Sequence, residues 1–172
     1  MVFQYNYELL GVTMLTTVLL VLLTYVNHSN STKRYNILKI GLHLLLVNQI
    51  FDIFRAQILY EGANYPQPVT YLVFVGYYLS AATVLILMVM HALLQFPWIS
   101  DHSQQFRTIF FVCEFTVAVL VLTTIQTGFV YEIRQGQVLT GAADAVFYFA
   151  RLIVLAIFVI LLPRYRRMVT PR

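Results

Sequence analysis

Five long apolar runs, separated only by short polar breaks, constrain this chain more than any other feature. They cover about residues 9–26, 37–60, 69–96, 106–128 and 142–162. A bilayer core of about 30 Å needs roughly 20 helical residues to cross it, so each run is long enough to span. The third is long enough to tilt. The breaks are polar and carry helix stops, including Pro66 and Pro68 between the second and third runs. With 60% hydrophobic and 10% charged residues, the chain is far more apolar than an ordinary soluble domain. A soluble fold of this size would leave a large apolar patch in water. The expected fold class is an all-α integral membrane protein, a bundle of about five transmembrane helices (residues 1–163) followed by a basic tail at residues 164–172.

Basic residues set the expected orientation. Lys33, Arg34 and Lys39 lie at the first break, Arg107 at the third, and Arg164, Arg166, Arg167 and Arg172 after the last run. With five crossings all eight fall on one side, while Glu8, Glu61 and Glu132 fall on the other with Arg134. The positive-inside bias then predicts an outside N-terminus and a cytoplasmic C-terminus in a multi-pass cell-membrane protein. Two glycosylation sequons, at Asn27 and Asn30, sit beside Lys33 and Arg34 and are read as chance matches on the cytoplasmic side. The N-terminus lacks a basic signal-peptide start. The net charge of +4 comes from these topology determinants, which gives no reason to expect nucleic acid.

Polar residues inside apolar runs are the informative exceptions, because an Arg or Asp near a span centre costs about 2.5–3.5 kcal/mol on insertion. Asn48, Asp52 and Arg55 recur at i, i+4, i+7 and form one helical stripe; Asp144, Tyr148 and Arg151 repeat that spacing in the fifth run. Glu114 stands in the fourth run. Depths counted at about 1.5 Å per residue allow Glu114 to meet Arg151, and Arg55 to meet Asp144 or its own neighbour Asp52. Two readings remain open: ion pairs that register the bundle, or an outward polar pocket between the second, fourth and fifth spans with Arg151 as its anion anchor. His43 and His91 lie toward the inner ends of their spans, and Cys113 is single and apolar in context. None of these makes a metal site, and no cofactor is expected. Phosphate-loop, HExxH and GxSxG signatures are missing from the sequence, so no catalysis is expected. Tyr71, Tyr77, Tyr78 and Trp98 suit boundary, packing or ligand roles alike. Gly76, Ser80 and Ala81 permit close helix contact. Between the fourth and fifth runs, Phe129, Tyr131 and Ile133 alternate with Val130, Glu132 and Arg134 before Gly136. That alternation fits a short outer hairpin or an irregular loop.

The stretches "NQIFDIF", "YLVFVGYYLSAATVLILMVMHALL" and "GFVYEIRQGQVLTG" followed by "AADAVFYFARLIVLAIFVILL" give the chain a layout. That layout resembles the N-terminal multi-span sensory modules of Gram-positive bacterial membrane diguanylate cyclases. In that family a cytoplasmic catalytic domain follows the last span, whereas this sequence ends at "PRYRRMVTPR". The resemblance therefore implies a sensing or membrane-anchoring role without the enzyme, with Asp52 in the matching part of the second span. The expected partners are the lipid bilayer, a small ligand, and a cytoplasmic signalling protein or a second copy of the chain. A small transporter or channel subunit and a membrane-complex assembly subunit are the alternatives.

Overall fold

The computed structural model describes residues 7–26, 33–61, 64–93, 103–135 and 137–169. The two sequons, Trp98, Gly136 and Arg172 lie outside them. The described chain is mainly helical: α1 (Tyr7–Val26), α2 (Lys33–Glu61), α3 (Gln67–Leu93), α4 (Ser103–Leu122), a single turn α5 (Thr124–Thr127), strands β1 (Tyr131–Arg134) and β2 (Gln137–Thr140), and α6 (Ala143–Val169). Three helical segments among the described residues, Asn36–Glu61, Gln67–Leu93 and Gln104–Leu122, are long and apolar enough to cross a membrane. The apolar stretch Gly11–Tyr25 of α1 is shorter.

Two of the sequence boundaries shift. The fourth apolar run does not continue as one helix to Gly128: α4 stops at Leu122, and α5 turns separately before ending at Gly128. Threonines explain the weakness there, because the Thr123 and Thr127 hydroxyls back-bond to main-chain carbonyls and compete with helix propagation. At the other end, α6 continues unbroken to Val169, so residues 164–169 of the basic tail extend the helix.

Consecutive helices run antiparallel. Phe51 of α2 lies against Gly76 of α3, and Gly41 against Leu87, so positions descend on one helix as they climb on the other. Gly76 is required here: a Cβ at that position would stand 2.5 Å from the Phe51 ring. The Tyr25 hydroxyl lies 3.2 Å from His43 Nε2, and Gln49 donates to Thr17 Oγ1 at 3.2 Å, which sets α1 beside α2. Tyr71 donates to the Leu122 carbonyl at 2.9 Å and satisfies one of the four free acceptors at the end of α4.

The core sits at one end of the bundle. It joins Ile58 of α2, Phe74, Tyr77, Tyr78 and Ala81 of α3, Val121 of α4, Val130 and Val138 around the hairpin, and Ala143 and Phe147 of α6. The hairpin forms, in antiparallel register from Tyr131↔Thr140 to Arg134↔Gln137. Gln135, which follows β1, takes φ 51°, a positive value of the kind hairpin turns use. Burial does not follow the alternation. Tyr131 is buried, but Ile133 is exposed, and Val130 is buried although the alternation put it on the opposite face. The cause is the anchor beneath the strand: Thr124 Oγ1 accepts from Val130 N at 2.8 Å and draws that residue inward. Gly141 closes the return path, because any Cβ there would meet the Phe129 and Gly128 carbonyl oxygens at 2.2 and 2.3 Å.

Candidate functional site

Arg55 organises the site. It lies on α2 six residues before the helix end, opposite the tyrosines of α3 and the first turn of α6. Its guanidinium bonds Asp52 Oδ1 through Nε (3.2 Å) and Nη2 (3.1 Å), one turn back on the same helix. From Nη1 it reaches Asp144 Oδ1 at 3.1 Å. Its flat face covers the Tyr77 ring, 4.3 Å from the centroid, where ring quadrupole and cation attract. The Tyr78 hydroxyl donates to the same Asp144 oxygen. Tyr78 is fully buried, and its ring is flanked edge-on by Tyr77 and Phe147 at 5.0 and 5.1 Å. Asp144 is thus held by one cation and one phenol from two other helices.

Two extensions complete the cluster. Asn48 donates through Nδ2 to the Tyr77 carbonyl (2.8 Å) and to Ser80 Oγ (3.0 Å), tying α2 to α3 one turn deeper. Arg151 of α6 donates to the Tyr77 hydroxyl at 3.0 Å. Tyr77 therefore bridges two arginines, one on its face and one at its oxygen. Arg55 is the most buried charge of the group and is shared by the partly exposed Asp52 and Asp144, whereas Arg151 is exposed and joins the cluster through the Tyr77 hydroxyl.

The expected residues divide accordingly. Asn48, Asp52, Arg55, Asp144 and Arg151 come together. Tyr148 stays apart: it is exposed and stands edge-on to Phe149, with ring centroids 5.9 Å apart. Glu114 and Arg151 do not meet. Thr83 of α3 hydrogen-bonds Glu114 Oε1, while Oε2 is buried without a partner. Thr83 and Tyr77 are six residues apart on α3, which puts them about 9 Å apart along the axis and on different faces. Each takes one member of the expected pair, so α3 separates them, and the polar cluster lies among α2, α3 and α6 and not among the second, fourth and fifth spans. Sequence reasoning left Tyr77 and Tyr78 open among boundary, packing and ligand roles and gave Ser80 only a role in close helix contact. The readable signal was the density of hydroxyl residues, Tyr77, Tyr78, Ser80 and Thr83, in the middle of a mainly apolar helix.

The chain matches no protein-family model, no curated protein and no solved structure.

A second feature lies beside this cluster. A cleft of about 520 Å³ opens between α5, β1 and the start of α3, lined by Gln67, Thr124 to Gly128, and Tyr131 to Arg134. Glu132 and Arg134, two residues apart on β1, pair at 2.8 Å on the strand's exposed side. The hydrogen bond that Arg134 donates to Glu132 holds its guanidinium above the ordinary range. Tyr131 is buried, with a hydroxyl that has no hydrogen-bond partner. Burial, with Tyr71 nearby, pushes its phenol above the usual range. Among the described residues no group of three or more His, Cys, Asp or Glu is placed to hold a metal ion.

Proposed function

We propose that this chain is a non-catalytic input module of the cell membrane, crossing it five times with its N-terminus outside and its C-terminus in the cytoplasm. The observation that carries the reading is the position of Asp144. It is the second residue of α6, and it is gripped by Arg55 of α2 and Tyr78 of α3. α6 continues from that grip to the basic stretch Arg164, Arg166 and Arg167. A helix held at its outer end by polar contacts can take two packings, and a stimulus that favours one of them shifts the other end. The likeness in layout to diguanylate cyclase sensory modules fits the same role, with the signal passing to a cytoplasmic partner.

Two measurements test this. Cysteine labelling from either side should find residues near Met1 and Arg172 in opposite compartments. Spin labels on α3 and on the inner half of α6 should change their distance distribution when Asp144→Asn weakens the grip. Both ends in one compartment, or an α6 that does not respond to the substitution, would overturn the proposal.

A further inference from the structure

We infer that the cleft between α5 and the hairpin is a binding site for a small zwitterion, a molecule carrying an ammonium and a carboxylate a few bonds apart, such as a free amino acid. Its volume of about 520 Å³ lies within the roughly 300–1,000 Å³ of small-molecule pockets. Its lining carries the amides of Gln67 and Gln126 and the opposed charges of Glu132 and Arg134. Those two charges sit at i, i+2 on β1 and so project from the same face of the strand. Exposed pairs of this kind add little to stability. Holding the fold together therefore does not account for them. A zwitterion replaces the pair by two bonds of the same type: its carboxylate takes the planar fork of Arg134, and its ammonium takes Glu132. A ligand with only one charge would leave Glu132 or Arg134 facing an unmatched group, which is the source of selectivity.

The position of the cleft links it to the Arg55 cluster. The hairpin returns through Gly141, whose N–H donates to the Val130 carbonyl at 2.9 Å, and α6 begins two residues later. An occupant that moves β1 therefore bears on Asp144. This coupling rests on the input-module reading, whereas the binding itself does not.

The experiment is calorimetric titration of the full chain in detergent micelles with free amino acids bearing small, polar and apolar side chains. Each binder is then repeated as its methyl ester, which lacks the carboxylate charge, and as its N-acetyl form, which lacks the ammonium. The expected result is binding of the zwitterion, with affinity lowered about tenfold by either blocking group and by either Glu132→Gln or Arg134→Gln. Phe111→Ala on the exposed face of α4 should leave binding unchanged. No amino acid bound at millimolar concentration, or ester and N-acetyl forms that bind as tightly as the free amino acid, would overturn the inference. Binding with no change in the α3–α6 label distance would keep the site and remove its link to α6.

Discussion

α3 and α4 are both long apolar helices, yet they are built into the molecule in opposite ways. Half of the apolar span of α3 is buried, against 6% for α4. Hydropathy does not separate them, since both qualify as spans. What differs is the side-chain inventory. α3 carries Gly76, Ala81 and Ala82, which let neighbours approach, and Tyr77, Ser80 and Thr83, which supply hydrogen bonds. α4 presents Ile109, Phe111, Val112 and Phe115 outward, all more than half exposed. The comparison teaches that apolar surface alone does not assemble helices in a membrane, because lipid tails are as apolar as leucine. Small residues and polar contacts choose which helix becomes the centre.

Substitutions at the two helices and their partners should break or sharpen that contrast. The largest effect is expected at Arg55, which serves the α3 side. Arg55→Met leaves Asp52 and Asp144, both partly exposed, without their shared cation, and losing charge-assisted bonds of this kind costs about 1.5–3 kcal/mol. Equilibrium unfolding in mixed micelles should show a loss of that order, and Asp52→Asn combined with Asp144→Asn should recover part of it. Gly76→Ala comes next. Its Cβ would enter the Phe51 ring, which can shift only by disturbing the α2–α3 seam, so a loss of about 1–3 kcal/mol is expected. Asn48→Ala removes two interhelical bonds and should cost about 1 kcal/mol, since such bonds average near 0.6 kcal/mol in membranes. At the bottom of the scale, Phe111→Ala on α4 should change stability by less than about 0.5 kcal/mol. A large loss at Phe111, or none at Gly76, would show that apolar area and not small-residue contact holds the bundle together.

Much of the layout was legible in the sequence. Helical runs with polar breaks appear where hydropathy placed them, with boundary shifts of a few residues. Arg55 and Asp144 were expected at compatible depths, and they meet. The pairing of Glu114 with Arg151 was allowed on the same ground and does not form. Depth is a one-dimensional coordinate counted along the chain, whereas contact also needs the two side chains to face each other across the bundle. Tyr77 and Tyr78 were harder still. A tyrosine in an apolar helix reads equally as an interfacial anchor or a packed ring, and only its neighbours reveal a bridge between two arginines. The hairpin was readable as an alternation, but its buried face was set by Thr124, a residue of the preceding turn.

By itself the sequence determined that lipid is a better solvent than water for most of this chain, and that its few charges had to be neutralised in groups. Those conclusions follow from composition and periodicity, which need no knowledge of neighbours. The tertiary structure alone decided that α3 stands at the centre, that Arg55 and Tyr78 hold the start of α6, and that a charged cleft opens beside the hairpin. Each depends on which faces of separate helices are turned toward one another, and rotation about a helix axis is set by close packing and by pairing with distant residues.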